Sequence, residues 1–371
     1  MENEQLKRLK FLSKEKSGFY QTLRQKVDTY FLDKNIEPTA NSAMVLKTIT
    51  LLGLYSLPYL LLVSFHLPAL AVIFIYAIMG FAMAGIGMSI MHDANHSAYS
   101  KNKSVNQWLG YTLNIVGMTA FNWKLQHNIL HHTYTNVYEY DEDIDGPPML
   151  RLSPHHPYKK MHKYQHIYVF FFYSLLTLNW LFSKDFIQLV KYRKNGLNRS
   201  SKREYNYHIF VLIASKVIYL FYMLFIPIYF LHYGTTLVII SFLVLHCISG
   251  LILSITFQLA HSVTPASFPL PNNKYTIEND WAIHQINTTV DFSRKSKFLN
   301  WYLGGLNFQV EHHLFPHICH IHYVELSKIV EETAKEFNIK YLSTPTLIEA
   351  IKTHLNALRQ FGSMETVSMN Y

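Results

Sequence analysis

Charge is what this sequence has least of for its size. Only 15% of its 371 residues are Asp, Glu, Lys or Arg, where a soluble domain carries about a quarter. The deficit is concentrated: no charged residue occurs from Thr48 to Met91, or from Val217 to Ala260. Cysteine is scarce too, with Cys247 and Cys319 the only two. That excludes a disulfide framework and a CxxC zinc site, and it suits a reducing compartment. No repeat or low-complexity tract stands out. The basic N-terminus (Lys7, Arg8, Lys10, Lys14, Lys16, Arg24, Lys26, Lys34) is followed by neither the apolar core nor the small-residue cleavage site of a signal peptide. It reads as a solvated cytoplasmic tail. The formal net charge of +9 would suggest nucleic acid in a soluble protein; here it follows membrane topology and contact with anionic lipid, and no nucleic acid partner is expected.

Each uncharged run is long enough for two spans of about 20 residues. The stretches "FHLPAL" (65–70) and "LHYGTT" (231–236) break the runs with Pro or Gly, so each run predicts a helical hairpin. Both hairpins deliver a histidine at their exit, His92 and His261. Lys and Arg are absent from the two turns and dense in the tail and in 151–207, which places both exits on the cytoplasmic side. Two further uncharged stretches, 104–123 and 164–183, read as interfacial or re-entrant helices with Trp and Tyr at headgroup depth. Lys216, at the start of the third span, is expected to snorkel to the surface. The predicted fold is therefore an all-α integral membrane protein: four transmembrane helices as two hairpins, interfacial helices and a cytoplasmic helical cap. It is read as one domain with a basic tail (1–44), hairpin 1 (45–92), a cytoplasmic or interfacial region (93–207), hairpin 2 (208–261) and the cap (262–371).

What the sequence has in abundance is histidine, 21 copies. "HDANH" places His92 and His96 at i and i+4, on one helical face, where two imidazoles can grip one metal. "HNILHH" repeats that spacing with His127 and His131, and turns His132 onward toward a neighbouring ion. "QVEHH" sets Gln309, His312 and His313 at i, i+3 and i+4, and His261 stands alone in "FQLAHS". A lone histidine on an apolar helix is more often a satisfied core residue, which is the expectation for His66, His208, His232 and His246. His284, His317, His320 and His322 are expected to play structural or outer roles around the site. Imidazole suits Zn, Cu, Fe and Ni, but eight histidines overshoot a four-ligand zinc site and divide well between two ions. Asp93, Glu311 and the acidic "EYDEDIDG" (Asp141, Glu142, Asp143, Asp145) stand where carboxylates could orient imidazoles through the far ring nitrogen. For the acidic stretch a solvated loop is the alternative. A nitrogen-rich two-iron centre at a membrane surface points to oxygen activation on an apolar substrate.

HDANH, HNILHH with the following "TYTNV", and "GGLNFQVEHHLFP" (304–316) resemble the three histidine boxes of membrane fatty acid desaturases. The likeness runs from about residue 40 to 355. Gln309 opening the third box is similar to front-end acyl desaturases, and "WAIHQINTTVDF" (281–292) and "FPHICHIHY" (315–323) are similar to bacterial linoleoyl-CoA-type members. The resemblance implies two Fe ions that use O2 and two electrons to leave a cis double bond in a fatty acyl chain carried on CoA or a phospholipid. Carried over position by position, the ligands are His92, His96, His127, His131, His132, His312 and His313, with His261 as the extra histidine and Gln309 at a ligand position. Relatives place Asn four residues before that extra histidine; here Phe257 stands there, and Gln258 could replace it only with a shift of backbone. No His-Pro-Gly-Gly haem motif is present, so a separate ferredoxin or cytochrome b5-like donor is expected, with the protein in a bacterial inner membrane and its active site and both termini cytoplasmic. An acyl-lipid hydroxylase or acetylenase shares the boxes. A membrane metal transporter would need ionisable residues within its spans, which the uncharged runs lack.

Overall fold

The computed structural model describes residues 8–13 and 18–363; Lys7, Lys14 and Lys16 of the basic tail lie outside the described residues. The chain divides into two compact units. One is built mainly from Asn41–Leu125 and Phe170–Ser254, the other from Lys7–Ala40, Gln126–Val169 and Ile255–Tyr371.

In the first unit, helix α2 (Ser42–Ser64) starts at Asn41, whose side chain accepts the Met44 N–H. Helix α1 (Phe19–Lys34) belongs to the second unit. Helix α3 (Ala69–Asn95) begins after Pro68, which cannot continue α2. The stretch 104–123 does not form one span; it breaks into short helices, the first being α4 (Lys103–Gly110). Lys124–His131 is a π-wound helix, α5. The next apolar stretch bends by 57° between α6 (Lys160–Ser174) and α7 (Leu176–Lys194). Helix α8 (Lys202–Phe230) opens on a capping box in which Ser201 and Glu204 exchange hydrogen bonds. Helix α9 (Thr235–His261) follows. Among the described residues, α2, α3, α8 and α9 are the four straight helices long and apolar enough to cross a membrane, the number the missing charges predict.

Two glycines let backbones meet. A Cβ on Gly80 would lie 2.5 Å from the Leu245 carbonyl, and one on Gly250 would lie 2.6 Å from that of Ser174. Without a hydrophobic drive between helices in lipid, such close van der Waals contact is what holds spans together. Several polar groups inside this unit are paired. In the π-wound stretch Phe221–Phe230, Pro227 has no N–H for the Tyr222 carbonyl five residues back, and the Tyr59 hydroxyl donates to that carbonyl instead, at 2.7 Å. Thr177 donates to the His246 carbonyl, so its oxygen accepts from His246 Nδ1, and Tyr219 donates to Nε2; all three bonds are 3.0 Å. His246 is thus the satisfied core histidine expected. His66 and His232 are not core residues: both are exposed, and His66 stacks on Tyr233. His208 is half-buried against the Phe121 ring.

Lys216 does not snorkel. It is 5% exposed and donates to Asp185 at 2.9 Å, and to the Gly117 and Trp180 carbonyls at 3.1 Å. An ammonium in a span stays inside only when a counter-charge and acceptors replace water, and Asp185 on α7 supplies the charge.

The second unit contains a stretch the sequence placed in a solvated tail. Helix α1 repeats Phe19, Leu23, Val27 and Phe31 at i+4 spacing, and all four are buried. They join the core made by α10 (Trp281–Thr288), α11 (Gln309–Leu314) and α12 (Tyr323–Glu336). Two short parallel pairs tie distant segments: β1 (Lys10–Ser13) with β2 (Thr276–Asp280), and β3 (Asp291–Phe292) with β4 (Ser343–Thr344). The final helix, α13 (Leu347–Phe361), closes this unit, with the Leu358 carbonyl accepting from Gln165 at 2.7 Å.

On α13, His354 Nδ1 donates to the Ser262 carbonyl at 2.7 Å. Burial pushes its pKa down to about 4, although that carbonyl pulls it up. Against about 6.5 in the unfolded chain, its contribution to stability is complete above pH 6.5 and is lost as pH falls toward 4. The expected loss is about 3 kcal/mol across that window. In thermal unfolding of the purified protein, the midpoint of the wild type should fall more steeply between pH 6.5 and 4 than that of His354→Gln; parallel slopes would sink the assignment.

Candidate metal centre

Within the first unit, His92 and His96 share a face of α3 with ring centroids 4.8 Å apart, and each lies 5.5 Å from the Trp123 ring. Asp93 is 3.9 Å from His92 Nδ1.

The second unit gathers six of the expected histidine ligands together with Gln309. On α5, the rings of His127 and His131 stack at 5.1 Å, and His132 turns edge-on to His127 at 4.7 Å. His261, at the end of α9, lies 4.7 Å from His131, and His313 lies 4.8 Å from it. His312 and His313 on α11 each lie 4.5 Å from His132. The ligating nitrogens of His131, His261 and His313 fall within 4.8 Å of one another, and so do those of His132, His312 and His313.

The outer nitrogens are held. Asp141 meets His131 Nδ1 at 2.9 Å, and Asp143 lies 3.4 Å from His127 Nδ1. Those carboxylates are carried by a loop that turns back on itself: Asn136 adopts φ 59°, which Asn tolerates, and its N–H donates to Asp141 at 2.8 Å. The acidic loop is therefore not merely solvated; two of its carboxylates orient the second box. The Thr288 carbonyl faces His261 Nδ1 at 3.3 Å, the Tyr323 hydroxyl faces His312 Nδ1 at 3.5 Å, and Gln285 faces His313 Nδ1 at 2.9 Å. Holding Nδ1 from outside fixes ring orientation and turns Nε2 inward. Burial pushes the His131 imidazolium down, but the Asp141 and Asp143 carboxylates outweigh it and raise its pKa to about 9.

Glu311 does not orient a box histidine. Its carboxyl accepts from Tyr341 at 2.9 Å, beside Asp291, which also bonds Tyr341 and accepts the Val310 N–H at 3.0 Å. Burial raises both carboxyls, Asp291 to about 6 and Glu311 well above its usual range. Gln309 donates its amide N–H to the Leu306 carbonyl at 2.9 Å, so its oxygen is the atom a metal would use. Gln258 is engaged elsewhere, donating to the Asp143 carbonyl at 2.9 Å and accepting from Ser262 at 2.6 Å. The outlying histidines are used in packing. His284 meets Phe11 edge-on at 5.2 Å and His322 meets Phe31 at 5.1 Å. His320 lies under Gly305, where a Cβ would come within 2.7 Å of it, whereas His317 is exposed.

These residues fit iron. The donor set is imidazole-rich and exceeds the four ligands of a structural zinc site, with the buried His261 and the Gln309 side chain beside each other in it. The sequence reading missed Gln285, Thr135, Tyr323 and the Asp291–Tyr341 pair; only the polar run "HQINTT" (284–289) hinted at any of them.

Four candidate spans together with overlapping imidazole clusters fit the class of histidine-rich integral membrane oxidoreductases. The sequence profile of the fatty acid desaturase family matches residues 66–345, and the chain belongs to that family. It is 36% identical, over 96% of its length and 74% of the other's, to an acyl-lipid (8-3)-desaturase of Physcomitrium patens. It is 34% identical to the sn-1 linoleoyl-lipid 6-desaturase of Arthrospira platensis, covering 93% of each chain. The enzyme of that name from Synechocystis is 34% identical over 96% of this chain and 98% of its own. The protein is accordingly an oxidoreductase of the membrane that introduces double bonds into fatty acyl lipid.

Proposed function

We propose that the protein is an O2-dependent diiron desaturase of front-end type, which places a cis double bond on the carboxyl side of an existing one in a linoleoyl-type acyl lipid. The carrying observation is the overlap of two nitrogen clusters, His131–His261–His313 and His132–His312–His313, through a shared His313. Overlap of that kind suits two adjacent ions better than one. In this reading the ligands are His92, His96, His127, His131, His132, His261, His312 and His313, with Gln309 through its amide oxygen. The names of the relatives, lipid-linked 6- and (8-3)-desaturases, favour a lipid carrier over CoA and a front-end position.

The balanced reaction converts –CH2–CH2– with O2, two electrons and two protons into –CH=CH– and two waters. Iron, when bound, would supply the reduction of O2 that makes two unactivated C–H bonds reactive. The chain's own residues do the rest. Asp141 and Asp143 hold the second-box imidazoles in one orientation, and the buried packing around His312 and His313 keeps water from the acyl chain. Two electrons come from a separate ferredoxin or cytochrome b5-like carrier. The density of Lys and Arg in 151–207 supports a site and termini in the cytoplasm, in a protein read as a single domain of two hairpins and a cap in a bacterial inner membrane.

The test is gas chromatography with mass spectrometry of lipids from a host expressing the protein and fed linoleate or other defined acids. The expected product carries a new double bond between the carboxyl end and an existing one. A hydroxylated product would replace this reading with a hydroxylase on the same scaffold; a double bond toward the methyl end would remove the front-end assignment.

A further inference from the structure

Gln285 is buried in α10, outside all three boxes, and touches two of them. Its Nε2 donates to the His132 carbonyl at 3.3 Å, where Trp281 Nε1 also donates at 3.3 Å. Its Oε1 lies 2.8 Å from the Thr135 hydroxyl and 2.9 Å from His313 Nδ1. The His132 carbonyl can only accept. Turning the amide over would set two oxygens against each other there and lose that bond inside the protein. The amide orientation is therefore dictated by the backbone of the second box. With Oε1 facing His313, Nδ1 must carry the ring proton, because two lone pairs at 2.9 Å would repel. Nε2 of His313 then carries no proton.

We propose that Gln285 is a positioning residue that sets the tautomer of His313, so that the backbone of the second box decides which nitrogen of the third box presents its lone pair to a metal. The role rests on the iron-centre reading given above. It also explains why a neutral amide occupies a place where carboxylates serve the second box. An amide can donate to the His132 carbonyl and accept from His313 at once, whereas a carboxylate can only accept.

The experiment measures Fe(II) affinity by competition with a chelator, and iron per chain by mass spectrometry, on the purified full chain. Wild type, Gln285→Leu, Gln285→Glu and His313→Ala are compared. Gln285→Leu, which removes the acceptor at 2.9 Å and leaves Nδ1 only the Thr135 hydroxyl at 3.2 Å, should bind iron at least about tenfold more weakly. Gln285→Glu keeps the acceptor for Nδ1–H but sets an oxygen against the His132 carbonyl, so it should bind iron more weakly than wild type and clearly more tightly than Gln285→Leu. Wild-type affinity in Gln285→Leu, with iron still lost in His313→Ala, would overturn the positioning role and leave the iron centre standing. Equal weakening in the Leu and Glu variants would overturn it too, assigning the effect to the lost contact with His132. Wild type and His313→Ala both devoid of iron would overturn the iron reading and the role with it.

Discussion

His131→Ala is expected to abolish both iron binding and double-bond formation. His131 packs against His127, His261 and His313 at once, at 5.1, 4.7 and 4.8 Å, so no neighbour can move in without leaving its own outer contact. Changing a residue that merely orients a ligand costs about 10–100-fold, and removing the ligand itself must cost more. Unfolding is the competing explanation, because Asp141, fully buried, would lose the imidazole 2.9 Å away. An unpaired buried charge costs about 3–5 kcal/mol. The double variant His131→Ala/Asp141→Asn removes that charge and should recover the unfolding midpoint, yet still lack iron and product. Product from the double variant would show that His131 is not needed at the metal.

Lys216→Ala should give the largest loss of stability among single changes away from the metal centre, about 3–5 kcal/mol. The side chain is 6% exposed and its partner Asp185 is 0% exposed, so water cannot replace the lost ammonium. Asp185 would retain the Thr119 hydroxyl at 3.2 Å, which is no substitute for a counter-charge. The Gly117 and Trp180 carbonyls would lose their donor as well. Lys216→Met with Asp185→Leu removes both charges and should be far less damaging than the single change, since a buried pair often stabilises no more than apolar side chains of similar size. Unfolding midpoints in detergent decide it: a single variant as stable as wild type would mean that the pair is reached by water.

Several features were legible because they are local. The boxes depend only on spacing: His92 with His96 and His127 with His131 meet on one face wherever the helix goes. The spans depend only on composition over about 20 residues, and the breaks near Pro68 and Gly234 interrupt them visibly. The same locality misled elsewhere. Residues 19–34 looked like a charged tail because Lys and Arg dominate the eye, while Phe19, Leu23, Val27 and Phe31 form a buried stripe. Lys216 looked like a residue at a span edge because Asp185, 31 residues away, is not in its window. Glu311 sits inside a box motif but turns to Tyr341, 30 residues on.

The sequence by itself determined that this chain enters a membrane, that its histidines come in metal-binding spacings, and that it resembles the desaturases. Those properties follow from composition and helical period, which neighbouring residues carry among themselves. Only the tertiary structure decided which nitrogen of each imidazole is held. Asp141 for His131, Thr288 for His261 and Gln285 for His313 reach their partners across 10 to 28 positions of chain, and the Thr135–Gln285 bond crosses 150. A hydrogen bond acts over about 3 Å, so chain separation carries no information about it. Burial then makes each of those bonds costly to leave unmade, and burial is a property of the folded protein alone.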